Sequence, residues 1–426
     1  MELKKSKKFL KKALRSIPLA SQTFSKSYLQ YPDGFPLFAQ NGKGGRIKDV
    51  DGNEYVDLIM GLLPLTLGYN DKDVNRAIIK QLKSGITFSL PTVLEHQLSE
   101  KLIQKIPSAE KVRFAKNGTD VTSGAIRLAR GITKRDKIIT CGYHGWQDWY
   151  IGTTSRHLGV PKKVRELSIA AKFNDINDVH RIIKKNKDEI GAMIIEPMSF
   201  TEPKKHYYKE LQYLLKKNKI LLIFDEIITG FRFSEGGAQK YFNITPDLSC
   251  FGKGMANGMP LSALVGKTKY MNKISEVFFS GTFGGESLSL AASIATIKKI
   301  EKKNVIKKLW SSGSQIISHI NKEIKKYNLE NIVNVMGKEP WSLVNFNNSK
   351  KINKFQLKYV FMKNMASNRV LSLGTNNICF AHSKKDINII NKAYSHTFKL
   401  INEIIFQNRK YNYKSIKPIF SVRKND

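Results

Sequence analysis

Two acidic residues follow directly on an apolar run in the middle of the chain. Residues 220–224 read ILLIF and lead straight into Asp225 and Glu226. An uninterrupted apolar run of this length is typical of a strand that is buried on both faces of a parallel sheet. A carboxylate at the end of such a strand is costly unless a positive group lies against it. The pattern therefore predicts a positive partner for Asp225.

A second candidate is the turn formed by Asn117, Gly118 and Thr119. It follows a strand-like segment and precedes a helical pattern with apolar side chains on one face. Free backbone N–H groups at a helix start, together with a hydroxyl group, suit a bound phosphate. An ordinary helix cap uses the same residue types, so the turn alone leaves both interpretations open.

The third candidate is Lys253, which lies between Gly252 and Gly254 in the segment CFGKGMANGMPLSALVG. The rest of this segment is small and apolar, which gives the lysine little reason to be solvated. Removal from water lowers the pKa of an amine and makes it a nucleophile towards carbonyl carbons. The alternative interpretation is a solvated lysine on a glycine-rich surface loop.

Together the three stretches match the requirements of pyridoxal 5'-phosphate. This cofactor needs a phosphate site, a carboxylate for its protonated pyridine nitrogen and a lysine for its aldehyde. The positive partner of Asp225 would then be the pyridine nitrogen. Competing phosphate motifs fail, because VGKT has Leu261 where a P-loop requires glycine, and GKGMAN has Asn257 in place of the last glycine of the dinucleotide fingerprint.

The surrounding pattern predicts elements that could position these residues. Apolar residues at steps of three and four predict helices over 3–17, 93–106 and 305–327, and short apolar runs predict strands over 136–140, 191–196, 220–226 and 261–266. The segment 46–57 alternates around Asp51-Gly52, which predicts a hairpin. Alternating helices and strands indicate a parallel sheet covered on both faces, with its functional residues at the carboxyl ends of the strands.

The motifs resemble those of the class III pyridoxal-phosphate aminotransferases, and especially the glutamate-1-semialdehyde 2,1-aminomutase branch. The resemblance covers nearly the whole chain, through DVDGNEYVDL, VRFAKNGTD, GYHGW, FDEIITGFR, FGKGMANGMP and FAHSKKDIN. It implies an α/β PLP-dependent transferase of fold type I, in which a large domain has a mostly parallel, seven-stranded-type sheet and a smaller domain is α+β. It also implies a homodimer with shared active sites. The predicted domains are an N-terminal segment of the small domain at 1–60, the large cofactor-binding domain at 61–300 and the C-terminal small domain at 301–426.

The resemblance assigns roles to individual residues. It implies that Lys253 forms a Schiff base with the cofactor and shuttles the proton, and that Asp225 pairs with the pyridine nitrogen. The implied cofactor-binding residues are Asn117, Gly118 and Thr119 at the phosphate, Tyr143 over the ring with its neighbour His144, Ile227 on the opposite face, and Thr282, which would reach the neighbouring subunit's phosphate. Glu196 matches a family acid near the site, and Lys26 is a candidate for supplying charge to the substrate.

Departures from the family pattern concern the substrate. Segment 21–28 reads SQTFSKSY, where the aminomutases have a motif like NSPVRAF whose arginine is thought to bind the substrate carboxylate. Relatives with SQT and GYHGW-type motifs resemble aminotransferases of surface-polysaccharide or nucleotide-sugar pathways. We therefore expect amino-group transfer between a small-molecule donor and a small or sugar-pathway carbonyl compound. The aminomutase that makes 5-aminolevulinate for tetrapyrroles is the alternative.

Composition bounds the remaining possibilities. The formal net charge is +37, but the lysines are spread along the whole chain and no nucleic-acid-binding motif accompanies them. No apolar run approaches the roughly 20 residues of a membrane helix. The three cysteines are scattered, so neither a metal site nor a disulfide framework is indicated. We expect a cytoplasmic enzyme without nucleic-acid or membrane partners. A catalytically silent PLP fold and a basic nucleic-acid-binding protein are the non-enzymatic alternatives.

Overall fold

The computed structural model describes residues 2–416, which form two compact units. One unit comprises the described residues up to 71 and from 307 onward, and the other comprises residues 72–306. The domain assignments 1–60, 61–300 and 301–426 stay a prediction, and residues 1 and 417–426 lie outside the described part of the chain.

Helices and strands alternate through most of the chain. The helices are α1 (Lys4–Ser16), α2 (Lys72–Leu82), α3 (Val93–Lys105), α4 (Gly118–Thr133), α5 (Asp148–Ile151), α6 (Lys162–Glu166), α7 (Ile176–Lys185), α8 (Tyr207–Lys217), α9 (Gly237–Phe242), α10 (Thr268–Met271), α11 (Ser287–Lys302), α12 (Val305–Lys326), α13 (Lys354–Ser367) and α14 (Lys384–Phe406). The strands are β1 (Ala39–Lys43), β2 (Arg46–Asp49), β3 (Glu54–Asp57), β4 (Lys111–Ala115), β5 (Lys137–Cys141), β6 (Ser168–Ala170), β7 (Ile190–Ile195), β8 (Leu221–Glu226), β9 (Leu248–Phe251), β10 (Ser262–Gly266), β11 (Val333–Lys338), β12 (Trp341–Phe346), β13 (Val370–Leu371) and β14 (Thr375–Asn377). Short 3₁₀ turns occupy Pro18–Ala20, Phe24–Lys26, Tyr28–Gln30, Lys253–Ala256 and Asn272–Glu276.

The unit of residues 72–306 is built on a seven-stranded sheet in the order β4-β10-β9-β8-β7-β5-β6. The pairs β9-β8, β8-β7, β7-β5 and β5-β6 are parallel, and β10 is antiparallel to both β9 and β4. Only residues 252–261 connect β9 to β10, which is too short for the crossover that a parallel neighbour requires. The other six strands therefore point the same way and bring their carboxyl ends to one edge.

Apolar side chains cover this sheet on both faces. One core cluster packs the buried stripe of α4, including Val121, Ala125 and Leu128, against the sheet. The other packs Val179 of α7 and Leu211 of α8 against the opposite face. All six residues of β8 are buried, as its apolar sequence predicts for a central strand. The predicted fold of this region is confirmed.

The other unit contains two smaller sheets, ordered β1-β2-β3-β13 and β11-β12-β14. The predicted hairpin at Asp51-Gly52 is confirmed, since β2 and β3 pair antiparallel and Gly52 has a φ of 90°. The Asp51 carboxylate also accepts hydrogen bonds from Lys5 N at 2.6 Å and Ser6 N at 2.9 Å, which fixes the start of α1. Within residues 2–416 no helix is both long and apolar enough to cross a membrane. The cytoplasmic location stays a prediction.

Candidate active site

Five of the predicted site segments meet at the carboxyl edge of the seven-stranded sheet. Asn117 follows β4, Tyr143 follows β5, Glu196 follows β7, Asp225 lies near the end of β8, and Lys253 follows β9. Each of these strands ends at the same edge, so segments far apart in sequence come together. The strand order therefore positions the site.

Asp225 has a partner that the sequence did not reveal. Its Oδ2 accepts a hydrogen bond from Nδ1 of His144 at 2.8 Å, and its Oδ1 accepts one from Ile227 N at 3.1 Å. Asp225 is 5% exposed and His144 is 2% exposed, so the pair is almost removed from water. The imidazole fixes the orientation of the carboxylate, as an outer partner does for a buried acid.

Glycines allow the site segments to approach one another closely. A Cβ at Gly118 would lie 3.0 Å from Cδ1 of Ile227, and one at Gly252 would lie 3.1 Å from the same atom. A Cβ at Gly145 would lie 2.4 Å from the Thr119 hydroxyl oxygen. Ile227 therefore lies between the Asn117-Gly118-Thr119 turn and the Lys253 segment, and the GYHG turn reaches Thr119.

The turn at Asn117 begins helix α4 and offers a site for an anion. The Asp120 carboxylate accepts from Asn117 N at 2.7 Å, and the Ser262 hydroxyl donates to Asn117 O at 2.8 Å. These bonds hold the turn at the start of a 16-residue helix, whose N-terminus carries a partial positive charge. The hydroxyl of Thr119 is buried and has no partner within the described part of the chain.

Lys253 combines an unusual backbone with a desolvated amine. Its φ is 39°, in the left-handed region, and it begins the 3₁₀ turn that follows β9. Burial lowers the pKa of its amine, the carboxylates of Glu196 and Asp225 oppose this shift, and the Arg232 guanidinium adds to it. The lysine is therefore closer to a neutral nucleophile than a solvated lysine would be.

Glu196 anchors the turn that carries Tyr143. Its Oε2 accepts from Tyr143 N at 2.9 Å, and a Cβ at Gly142, where φ is 116°, would lie 2.6 Å from this oxygen. The Tyr150 hydroxyl donates to Gly142 O at 2.9 Å. Burial, and then the Asp225 carboxylate, raise the pKa of Glu196 to about 7. Glu196 therefore positions Tyr143 and can carry a proton near neutral pH.

Glu196 should make the stability of the cofactor-free protein depend on pH. An acid whose pKa is raised on folding stabilises the fold below its unfolded-state pKa, here 4.5, and loses this contribution as the pH rises through about 7. Between about pH 5 and about pH 8, the melting temperature of wild type should fall by about 2–4 °C more than that of Glu196→Gln. If the melting temperatures of the two proteins change equally with pH across this range, Glu196 does not titrate there.

The sequence analysis assigned no role to two further buried residues. Glu226 is 0% exposed and accepts from Ala238 N at 2.6 Å and Gln239 N at 2.7 Å, so it holds the start of α9 rather than the candidate cofactor site. Burial raises its pKa to about 7. Arg232 is 1% exposed and lies within electrostatic reach of Lys253. The sequence signal for both residues is a charge within FDEIITGFRF, a segment whose other residues are mostly apolar or small.

Two predicted site residues are not brought to this cluster. Thr282 is exposed, on the loop between the Asn272–Glu276 turn and α11. The loop is held by Glu286, which accepts from Leu288 N at 2.6 Å and pairs with Lys116 at 2.8 Å. Lys26 belongs to the other compact unit and is exposed there. Their predicted contacts with phosphate and substrate stay predictions.

The clustered residues fit pyridoxal phosphate. The unpartnered Thr119 hydroxyl at a helix N-terminus suits the phosphate group, and the buried Asp225 carboxylate suits a protonated ring nitrogen. Lys253 supplies an amine of lowered pKa for the aldehyde. The ring would lie between Tyr143, which is 45% exposed, and Ile227. These features match the three requirements that the sequence suggested.

Comparisons with known proteins agree with this site. Residues 29–383 match the family described as aminotransferase class-III. The chain is 37% identical over 349 residues to a 3-aminobutyryl-CoA aminotransferase of Cloacimonas acidaminovorans, covering 80% of this chain and 83% of that protein. It is 38% identical over 350 residues to a glutamate-1-semialdehyde 2,1-aminomutase of Methanosphaera stadtmanae, covering 78% and 82%.

Solved structures show the same fold. The FumI protein of Sphingopyxis sp. MTA144, in its PLP internal aldimine form, superposes with a TM-score of 0.87 at 25% identity and covers 93% of this chain and 97% of its own. A transaminase with PLP bound superposes with a TM-score of 0.88 at 21% identity and covers 95% and 99%. The predicted PLP-dependent transferase fold is confirmed. The chain therefore belongs to the class III aminotransferases, enzymes that move amino groups with pyridoxal phosphate.

Proposed function

We propose that this enzyme transfers an amino group between two separate molecules, an amino donor and a carbonyl acceptor. The observation that carries the proposal is the desolvated Lys253 amine close to the Asp225–His144 pair at the carboxyl edge of the sheet. When bound, pyridoxal phosphate supplies an electron sink for the reaction. The chain has to hold this group, orient the substrate and move a proton.

Each clustered residue has a proposed task. Lys253 holds the cofactor covalently and then moves the proton at the substrate carbon. Asp225, oriented by His144, keeps the ring nitrogen protonated. Asn117, Gly118 and Thr119 bind the phosphate with the N-terminus of α4. Tyr143, held by Glu196, and Ile227 pack on the two faces of the ring.

The residues of segment 21–28 favour transfer between molecules over an internal rearrangement. A mutase must retain its intermediate, and a bidentate arginine–carboxylate contact does this with strong geometric control. Segment 21–28 offers Lys26 and no arginine, and lysine is a point charge without that fork geometry. Relatives of similar identity are named as an aminotransferase and as aminomutases, so resemblance alone supports both functions. The aminomutase remains the second candidate.

A single-donor experiment separates these two functions. The enzyme with its cofactor is mixed with L-glutamate and no acceptor, and released 2-oxoglutarate is measured. We expect close to one 2-oxoglutarate for each cofactor, because an aminotransferase releases the keto product of its donor before the acceptor binds. Alanine and aspartate, assayed through pyruvate and oxaloacetate, extend the test to other common donors.

The aminomutase alternative has its own readout in the same experiment. If common donors release no keto acid, and glutamate 1-semialdehyde is converted efficiently to 5-aminolevulinate, the proposal of intermolecular transfer is wrong. Lys26→Arg provides a matched variant, because it restores a guanidinium to segment 21–28. An increase in 5-aminolevulinate formation in this variant would show that the missing arginine separates the two activities.

We further propose that the enzyme is a homodimer in which Thr282 serves the partner's site. What supports this is a group of exposed apolar side chains in the unit of residues 72–306, each between 42% and 81% exposed. They are Ile79, Leu82, Ile86, Phe88, Leu90, Val93, Phe278 and Phe283. Phe278 and Phe283 lie on the Thr282 loop, and Ser287 N, at the start of α11 directly after this loop, donates to Ile86 O at 2.9 Å. A second copy of the chain would bury these exposed apolar side chains.

Mixed dimers test the shared site. Lys253→Ala and Thr282→Ala proteins, each of low activity, are mixed in equal amounts and allowed to exchange subunits. Half of the dimers should then be hybrids, and each hybrid has one site with both lesions and one with neither, so about a quarter of wild-type activity should return. A tagged pull-down verifies the hybrids. Verified hybrids without recovered activity would contradict a site completed by the partner's Thr282.

A further inference from the structure

A cavity lies at the amino edge of the seven-stranded sheet, at the opposite end of the strands from Lys253. Its volume is about 810 Å³. It is bordered by the residues that precede β5, β8 and β9, by the residues that follow the antiparallel β10, and by α8. Small-molecule sites usually measure about 300–1,000 Å³. The volume therefore suits a ligand of substantial size, bound away from the candidate active site.

Positive charge dominates the lining of this cavity. Five of its side chains are cationic and one, that of Asp247, is acidic. The Asp247 carboxylate already accepts from Leu222 N at 2.9 Å and from the Tyr270 hydroxyl at 3.2 Å, so a ligand amine would have to displace these hydrogen bonds. The lining therefore favours an anion. The five cations are Arg135, Lys216, Lys219, Lys267 and Lys269.

Two of these cations already have partners in the fold. The Arg135 guanidinium donates to Asn218 O at 2.9 Å, just beyond the last residue of α8, and to the Asp188 carboxylate at 3.1 Å. It therefore balances the partial negative charge at the end of this helix. The Lys269 ammonium lies over the Tyr270 ring, 4.7 Å from the ring centroid.

The other three lysines of the lining are available to a ligand. Lys216 and Lys219 lie on either side of the last residue of α8, are exposed and form no ion pair within residues 2–416. Lys267 is half-buried, and Glu110, which accepts from Thr268 N at 2.7 Å, lies within electrostatic reach of it. Positive charge therefore exceeds negative charge at the cavity. Lysine ammonium groups are common partners of phosphate groups.

An aromatic ring offers a second kind of contact beside these lysines. Tyr213 lines the cavity from α8 and is 71% exposed. Tyr213 and Lys216 are i,i+3 neighbours on this helix, so the ring and the ammonium lie on the same face. An exposed aromatic ring can stack on any nucleobase, because every base has a flat π face. A ring beside uncompensated lysines therefore suits a ligand that carries both a base and phosphate groups.

We propose that this cavity binds a nucleotide with two or more phosphate groups. The base stacks on Tyr213, and the phosphates face Lys216, Lys219 and Lys267. The volume, the excess of cations and the aromatic ring beside Lys216 support this class of ligand. The site uses none of the residues proposed for the cofactor, and it is independent of the proposed amino transfer.

ATP and adenosine, in magnesium-free buffer, probe the phosphate contacts in the complete protein with its cofactor. Binding is measured by isothermal titration calorimetry. We expect ATP to bind at least about tenfold more tightly than adenosine, which lacks the charge-assisted contacts. The double variant Lys216→Met/Lys219→Met should weaken ATP binding at least about tenfold. Lys209→Met/Lys217→Met is the matched control, since both lysines are exposed on α8 and do not line the cavity, and it should bind ATP as wild type does.

Inorganic tripolyphosphate separates the base contact from the phosphate contacts. Tyr213→Leu should weaken ATP binding at least about fivefold and leave tripolyphosphate binding unchanged. Tyr213→Phe keeps the ring and should bind ATP as wild type does. Enzyme whose cofactor has been fixed by borohydride should also bind ATP as untreated enzyme does, because the cavity lies at the other edge of the sheet from Lys253.

Five outcomes would overturn the proposal. They are undetectable binding at millimolar ATP, equal loss of affinity in the two double variants, unchanged ATP binding in Tyr213→Leu, loss of ATP binding after borohydride treatment, and preference for a polymer. The last is tested with single-stranded oligodeoxyadenylate of about ten nucleotides. If it displaces ATP and binds at least about tenfold more tightly, the surface serves nucleic acid instead.

Discussion

Replacing Lys253 by alanine should reduce kcat by about 10⁴-fold or more, because the proposed covalent hold on the cofactor and the proposed proton transfer are lost together. The lysine lies beyond β9, where burial lowers the pKa of its amine and leaves it reactive towards a carbonyl carbon. A lysine that served only to fill space would give a far smaller loss of kcat.

Borohydride reduction followed by peptide mapping tests the same assignment without an activity measurement. The reduced cofactor should remain covalently on the peptide that contains Lys253. Lys267→Ala is the control. Lys267 follows the last residue of β10, whereas the first residue of β10, Ser262, contacts Asn117 at the candidate site. The variant should keep wild-type kcat and wild-type labelling of Lys253. Recovery of the cofactor mass on any other lysine would contradict the assignment.

Asp225→Ala should keep the fold and lose most turnover, with kcat lower by at least about 10³-fold. The carboxylate lies at the end of a buried strand, 5% exposed, and is held by Nδ1 of His144 at 2.8 Å. Without this charge, the pyridine nitrogen of the bound cofactor would lose its proton, and the ring would be a weaker electron sink. Thr119 and Lys253 are unchanged, so we expect the cofactor to bind still.

Two comparisons make the Asp225 result specific. Cofactor content, measured by absorbance after gel filtration, separates loss of turnover from loss of binding. Asp247→Asn is the matched control, because Asp247 accepts from Leu222 N at 2.9 Å near the beginning of β8. We expect this control to retain wild-type kcat. Turnover close to wild type in Asp225→Ala would mean that the acid has only a structural role.

His144 illustrates what the sequence could not provide. The motif GYHGW placed it near the cofactor by resemblance, but its hydrogen bond to Asp225 joins residues that are 81 positions apart. That contact depends on β5 and β8 lying on either side of β7 with their carboxyl ends at one edge. Local patterns do not specify the order of strands, so this partner of Asp225 appeared only in the folded chain.

The sequence alone determined the elements and the chemistry that they carry. The apolar run before Asp225 specified a buried strand, the residues after Asn117 specified a helix, and the small, apolar residues around Lys253 suggested an enclosed lysine. These features are local, because apolar periodicity and capping depend on residues within a few positions of one another.

Only the tertiary structure decided how these segments meet. It placed Ile227 against Gly118 and Gly252, made Glu226 the anchor of α9 while Asp225 faces the site, and turned β10 antiparallel to its neighbours. Each outcome depends on close packing between segments that are distant in sequence. Adjacent acids such as Asp225 and Glu226 look alike in the sequence, but successive side chains of a strand point to opposite faces of the sheet, so each meets different partners.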